Sequence, residues 1–252
     1  MTVKALIAKA RAILPREGRI LFGVLGLVLC GWLFATFAGQ VSAGRTQGFD
    51  ERVLLALRRA DDPAVPIGPR WALPIALEFT ALGSGIVLFT VIAVVGGYLA
   101  LERRHRMMWL TIGASVGGMI LSSALKGLFE RDRPSVVPHL AIVSSASFPS
   151  GHSMLAAVVY LTLGALLART TRDWRLRTYY VGVAVCLAFL IGVSRVYLGV
   201  HYPTDVMAGW AAGTIWALGW EIGARLLERR GALKRSPAPA AASAGGRTSP
   251  AH

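Results

Sequence analysis

Two short stretches of the sequence place side chains that can bind a phosphoryl group beside apolar runs. The first, KGLFERDRP, puts Lys126 and Arg133 seven residues apart, which on a continuing helix is two turns and a shared face. The second, FPSGHS, puts Ser150, Gly151 and His152 at the start of an apolar run, where Ser150 suits the N-cap of a helix. Cations and the free N–H groups of a helix N-terminus both favour phosphate.

A third stretch, SRVYLGVHYPTD, supplies a further cation, an imidazole and a carboxylate. Arg195 ends one apolar run, and His201 precedes the next. Pro203 suits the first turn of a helix, which places Asp205 in that turn with its carboxylate able to reach back to the imidazole. Phosphoryl transfer needs cations for the phosphoryl oxygens, a nucleophile in line and an acid for the leaving group. The three stretches together supply that set without requiring a metal.

Each stretch alone also has a simpler interpretation. Lys126 and Arg133 can extend their charged ends to the lipid head groups, and Asp205 can pair with a helix dipole. Glu130 and Arg131 are predicted to have only a surface role of this kind. The presence of all three stretches in one chain is what favours a phosphoryl-transfer site.

The elements that must position these residues are predicted to be membrane helices. Of the 252 residues, 54% are hydrophobic, which is too apolar for an ordinary soluble domain. Both cysteines lie in apolar runs, so neither a disulfide framework nor a cysteine metal site is expected from Cys30 and Cys186. Glu78 and Glu221 lie near ends of such runs and are expected to have structural roles, and pairing of Glu78 with a site arginine is left open. The sequence predicts an all-α polytopic protein with six transmembrane helices, at residues 20–39, 81–100, 107–125, 153–168, 178–193 and 206–227.

The basic residues predict the orientation of these helices. With the N-terminus inside, the inner segments hold 18 of the 27 Lys and Arg residues, so both termini are predicted to be cytoplasmic. The net charge of +14 then reflects basic loops facing the anionic inner leaflet rather than a nucleic-acid partner. The three stretches fall in outer connections. The protein is therefore expected in the inner (cytoplasmic) membrane of the cell. Its site is expected at the surface of that membrane that faces the periplasm or exterior.

Three segments are predicted along the chain. Residues 1–19 have apolar side chains at helical spacing and are expected to lie on the inner membrane surface as an amphipathic helix. Residues 20–230 form the membrane domain, and the Pro-, Ala- and Ser-rich residues 231–252 form a disordered cytoplasmic tail. An alternative is a signal peptide cleaved after residues 41–43, although the preceding apolar run is long for one.

The three stretches together resemble the signature of the type-2 phosphatidic acid phosphatase superfamily. That signature runs Lys, six residues, Arg-Pro; then Pro-Ser-Gly-His; then Ser-Arg, five residues, His, three residues, Asp, and this chain shows no departure from it. The helix layout is similar to the integral membrane branch, which includes bacterial undecaprenyl-pyrophosphate and phosphatidylglycerophosphate phosphatases. Other branches are soluble acid phosphatases and vanadium haloperoxidases, so the resemblance alone does not fix the activity.

The resemblance implies a role for each matched residue. His201 is expected to be the nucleophile that forms a phosphohistidine, Asp205 to hold the proton of its other ring nitrogen, and His152 to protonate the departing oxygen. The remaining matched residues are expected to cradle the phosphoryl oxygens, namely Lys126, Arg133, Ser150, Gly151 and Arg195. Neither a metal nor a cofactor is implied.

The predicted function is a metal-independent lipid phosphate or pyrophosphate phosphatase. A site at the membrane surface meets lipid head groups while the lipid chain stays in hydrocarbon, so we expect a lipid substrate. Undecaprenyl pyrophosphate is expected first, and a phosphatidylglycerophosphate or phosphatidic acid phosphatase of broad specificity is the alternative. A lipid A-type phosphotransferase and a non-enzymatic protein that binds lipid phosphate are left open, as is the oligomeric state.

Overall fold

Eight α-helices make up most of the described residues, 16–143 and 145–233, in a computed structural model of the chain. Within these residues there is no β-strand, and an isolated bridge joins Arg58 to Pro66. The predicted all-α class is confirmed. In chain order the helices are α1 (Arg16–Ser42), α2 (Gln47–Ala56), α3 (Ala72–Leu82), α4 (Gly85–Leu101), α5 (His105–Phe129), α6 (Gly151–Thr170), α7 (Trp174–Tyr197) and α8 (Pro203–Leu233).

Two predicted segments fall largely outside the described residues. These are the amphipathic segment as far as residue 15 and the tail from residue 234 onward. Residues 16–19 belong to α1, which therefore begins before the predicted start of the first span. The end of α8 at Leu233 likewise lies a little beyond the predicted end of the membrane domain.

Four helices of the described part are long and apolar enough to cross a membrane, namely α1, α5, α6 and α7. A fifth span results if α3 and α4, which meet at a 49° bend, are counted together. The helix predicted as the sixth span, α8, is not among these, because its tryptophans, its glycines and Glu221 lower its mean hydropathy. The chain is thus a multi-pass helical membrane protein, and the count of six stays a prediction.

The predicted continuous helix over residues 81–100 is wrong, because the chain breaks between Leu82 and Gly85. Ser84 starts the second piece by accepting a hydrogen bond from the main-chain N–H of Val87 at 3.4 Å. The Tyr160 hydroxyl donates to the Leu82 carbonyl at 2.9 Å, which satisfies an acceptor near the break. A Cβ on Gly83 would lie 2.5 Å from a side-chain carbon of Ile191 and 3.3 Å from the ring of His152. The break therefore allows α3 to end beside the candidate site.

Helix α6 is central, and it packs most extensively against α7 and α8. On α8, a Cβ at Gly213 would lie 2.5 Å from the main-chain oxygen of Met154, so the two helices touch backbone to backbone. On its other side α8 places the Trp216 ring over Gly117 of α5, and the indole N–H donates to the Ala114 carbonyl at 2.7 Å. These contacts hold the first turns of α6 and α8 next to each other, where the second and third sequence motifs lie.

Candidate active site

A cavity of about 380 Å³ opens where the three sequence motifs meet. Apolar side chains from α5, α6 and the connection between them complete its wall, including Met119, Leu155 and Ile142. Two predicted site residues, Ser150 and Asp205, are buried beside it, and the Ser150 N–H donates to the Asp205 carbonyl at 3.0 Å. The other six predicted site residues line the cavity directly: Lys126, Arg133, Gly151, His152, Arg195 and His201.

Lys126 and Arg133 both lie at the cavity, but the predicted continuous helix is not what brings them together. Helix α5 ends before Glu130, whose φ of +42° turns the chain away, so the two cations do not share a helical face. They meet instead at Ser145: Lys126 Nζ donates to its hydroxyl at 3.0 Å, and Arg133 Nε donates to its carbonyl at 2.7 Å. A loop main chain, rather than helix periodicity, sets the spacing of these cations.

The start of α6 lies against the Lys126 side chain. Ser150 is the N-cap, as predicted, and its hydroxyl accepts a hydrogen bond from the main-chain N–H of Ser153 at 3.5 Å. A Cβ at Gly151 would lie 3.2 Å from Lys126 Cε, so the glycine makes room for the lysine. An ammonium group and a helix N-terminus, both electropositive, thus lie side by side at the cavity.

Arg195 is buried in the last turn of α7, with 3% of its surface exposed. Its Nη1 donates to Thr80 Oγ1 at 2.8 Å, while its Nε is buried and has no hydrogen-bond partner among the described residues. Glu78, considered as a possible partner for a site arginine, is exposed instead. A buried guanidinium with an unsatisfied donor is costly, and a phosphoryl oxygen is a suitable acceptor for it.

The imidazole of His201 is held from one side by Ser147 and Asp205. Ser147 Oγ lies 3.3 Å from His201 Nδ1 and donates to Asp205 Oδ2 at 2.5 Å, and Nδ1 is 3.5 Å from that same carboxylate oxygen. Because the one Ser147 hydroxyl proton is given to Asp205, its oxygen accepts from Nδ1–H, which leaves Nε2 without a proton. Nε2 lies 3.4 Å from Arg133 Nη1. The motifs did not include Ser147, and nothing in the sequence singled it out among neighbouring serines.

Arg131 is not a surface residue, and that prediction was wrong. Its side chain is 12% exposed and forms two ion pairs, from Nη1 to Asp205 Oδ1 at 2.6 Å and from Nη2 to Asp50 Oδ2 at 2.8 Å. The guanidinium also lies over the ring of Tyr202, 4.2 Å from its centroid. Burial acts to lower the pKa of Arg131, but the two carboxylates outweigh it and raise the pKa above its ordinary value.

Burial also fixes the protonation state of His201 in the free protein. Removing the ring from water disfavours the imidazolium and lowers the pKa of His201 to about 4, although Asp205 acts in the opposite direction. Because the pKa is lowered, the ring is neutral at every pH above that value. Neutral His201 has a lone pair on Nε2 available at physiological pH.

NMR of the protein in detergent with isotope-labelled histidine measures this directly. The resonance that disappears in His201→Gln is expected to be that of a neutral imidazole at about pH 5.5 and to titrate near the lowered pKa. A His201 midpoint at or above the ordinary histidine value of about 6.5 would contradict the burial argument.

Comparison with known proteins identifies the family. The family model of the PAP2 superfamily matches residues 107–224. Phosphatidylglycerophosphatase B of Bacillus subtilis (strain 168) is 33% identical over 187 residues, covering 72% of this chain and 86% of that protein. Undecaprenyl-diphosphatase of Sulfolobus acidocaldarius is 40% identical over 68 residues, covering 27% of this chain and 29% of that protein.

A solved structure supports the same assignment. The crystal structure of the first transmembrane PAP2 type phosphatidylglycerolphosphate phosphatase from Bacillus subtilis aligns with a TM-score of 0.72 at 29% identity, covering 81% of this chain and 98% of that one. The chain therefore belongs to the PAP2 superfamily, and the predicted resemblance is confirmed. The relatives are named as phosphatases, in agreement with the predicted hydrolase class.

Proposed function

We propose that this protein hydrolyses the terminal phosphoryl group of a membrane lipid through a phosphohistidine formed on His201. The observation that carries this proposal is the oriented imidazole: Ser147 and Asp205 hold Nδ1, while the ring lines a cavity with three cationic side chains. Those cations, Lys126, Arg133 and Arg195, provide charge for the three non-bridging phosphoryl oxygens.

In the first step Nε2 of His201 attacks phosphorus, and the bond from phosphorus to the leaving oxygen breaks. The attacking imidazole acquires positive charge as the N–P bond forms, and Asp205 stabilises it through Nδ1–H and Ser147. His152, which lines the same cavity, donates its proton to the leaving oxygen of the dephosphorylated lipid. A bound phosphoryl dianion stabilises the protonated form of His152 that this step needs.

In the second step a water molecule attacks the phosphorus of phosphohistidine. His152, now neutral, takes a proton from the water, and the N–P bond breaks to release inorganic phosphate and neutral His201. The same residue thus acts as acid and then as base, which returns the site to its starting state. No step requires a metal, so we expect turnover to continue in excess chelator.

The substrate is proposed as a lipid because the cavity is part of a multi-pass membrane protein and combines cations with apolar wall residues. Phosphatidylglycerophosphate is supported by the names of the relatives that align over most of their length. Undecaprenyl pyrophosphate, expected first from the sequence, is supported by a relative that aligns over a shorter stretch. The phosphoryl group is common to both lipids, so the cations of the cavity do not distinguish them. We further propose that the site faces the periplasm or exterior, with both termini cytoplasmic.

A phosphate-release assay on purified protein in detergent tests the proposal. We expect release from phosphatidylglycerophosphate, undecaprenyl pyrophosphate and phosphatidic acid in the absence of any acceptor, and much less from a soluble phosphate ester. A preference for the soluble ester would exclude a lipid phosphatase. Phosphoryl transfer to an added lipid, without release of phosphate in its absence, would indicate a phosphotransferase, and binding without turnover would indicate a non-enzymatic role.

A further inference from the structure

We propose that Asp50, in the outer helix α2, is a positioning residue for the nucleophile and acts through Arg131 on Asp205. This inference rests on the proposed function of His201. Asp50 lies outside all three sequence motifs and outside the part of the chain that matches the family model. Its side chain is fully buried, which for an isolated carboxylate is strongly unfavourable unless it is paired.

Two sets of contacts pair this carboxylate with the site. Asp50 Oδ2 accepts from Arg131 Nη2 at 2.8 Å, and from the Thr204 hydroxyl at 2.7 Å. Asp50 Oδ1 accepts from the main-chain N–H of Thr204 at 3.1 Å. That N–H belongs to the first turn of α8, and an N–H group in this position has no acceptor within its own helix. Asp50 of α2 therefore caps the N-terminus of α8 at Thr204, which is the residue immediately before Asp205.

The arginine connects the two carboxylates. Arg131 Nη1 donates to Asp205 Oδ1, while the Ser147 hydroxyl and the Tyr202 N–H both donate to Oδ2. Every oxygen of Asp205 is thus engaged, and the rotation of its carboxylate is fixed by donors on both sides. Asp50 holds the far side of the Arg131 fork and prevents it from turning away. The orientation of Asp205, and through it that of His201, depends on a residue that contacts neither of them.

The substitution Asp50→Asn separates this role from helix capping. An asparagine keeps one oxygen as an acceptor for Thr204, but its amide nitrogen cannot accept from Arg131. Asp61→Asn is the matched control, since Asp61 is in the same outer connection and forms an exposed ion pair with Arg59 at 2.7 Å.

We expect kcat for lipid phosphate release to fall about 10- to 100-fold in Asp50→Asn, as is typical when an outer hydrogen-bond partner of a functional group is lost. KM and inhibition by inorganic phosphate should stay within about threefold of wild type, because Asp50 does not contact the cations of the cavity. Rates are normalised to the amount of folded, monodisperse protein recovered after size-exclusion chromatography, so that unfolded protein does not count. Asp61→Asn should match wild type.

A double-mutant cycle tests whether the effect passes through Arg131. If it does, Asp50→Asn combined with Arg131→Met should be no slower than Arg131→Met alone, whereas independent effects would multiply. Three results would each overturn the inference while leaving the proposed function intact. They are an unchanged kcat in Asp50→Asn, changes in KM and in phosphate inhibition as large as the change in kcat, and effects of Asp50→Asn and Arg131→Met that multiply in the double mutant. Absence of phosphate release by the wild-type protein would instead overturn the proposed function and this inference with it.

Discussion

Replacing His201, the proposed nucleophile, with glutamine is expected to lower phosphate release by about 10⁴-fold or more, because binding energy alone cannot replace a nucleophile. The glutamine has a similar volume and keeps a polar group near Ser147, so the fold should persist. Wild-type protein quenched during turnover of a labelled lipid should carry acid-labile, base-stable phosphate, and His201→Gln should carry none. The label reports the covalent step independently of the overall rate.

His105→Gln is the control for this experiment, since His105 is exposed at the start of α5 and away from the cavity residues. It should retain both turnover and label. Equal losses in the two variants would show a general effect of removing a histidine. Label that survives in His201→Gln would place the covalent intermediate on another residue.

Asp205→Asn is expected to lower kcat by about 10³- to 10⁴-fold, as occurs when the carboxylate behind a catalytic histidine is neutralised. Asp205 accepts hydrogen bonds from Arg131, from Ser147 and from the Tyr202 N–H, and the His201 ring lies close to it. An amide can replace only part of this acceptor set. It also stabilises the developing imidazolium less than a carboxylate does.

The rate and the amount of phosphoenzyme separate catalysis from folding. We expect Asp205→Asn to remain inserted and to form phosphohistidine slowly, with KM little changed. Glu221→Gln is a control in the same helix, because Glu221 pairs with Arg169 and Arg225 near the other end of α8. If Glu221→Gln lost as much activity as Asp205→Asn, the loss would reflect the packing of α8 rather than support of the nucleophile.

The sequence predicted which residues form the site better than it predicted the contacts that hold them in position. The three motifs named every cationic and histidine side chain that lines the cavity, because side chains that serve one phosphoryl group lie at fixed local spacings. Helix periodicity failed for Lys126 and Arg133, since the left-handed Glu130 ends α5 between them. The helix α2 and the break at Gly83 were also missed, although the Gly-Ser pair at the break is a local signal that a strict pattern search would find.

The supporting residues could not be found from local patterns. In the sequence Arg131 is one of several charged residues in a short stretch. Only the fold shows that it lies between two buried carboxylates. Its partner Asp50 is 81 residues away, and Asp50 is 154 residues from Thr204. Ser147 is one of several similar serines before the PSGH motif. Contacts at such separations are set by helix packing, which a single sequence does not reveal.

These long separations also set the order in which the active protein can form. A membrane chain is synthesised from its N-terminus, so α2 and Arg131 are made before α8. Until α8 arrives, Asp50 has no Thr204 to cap and Arg131 has a single carboxylate. The last helix therefore completes both the packing and the chemistry, and contacts of such high sequence separation are slow to form. A chain that stops before α8 lacks both Thr204 and Asp205 and should accordingly be inactive.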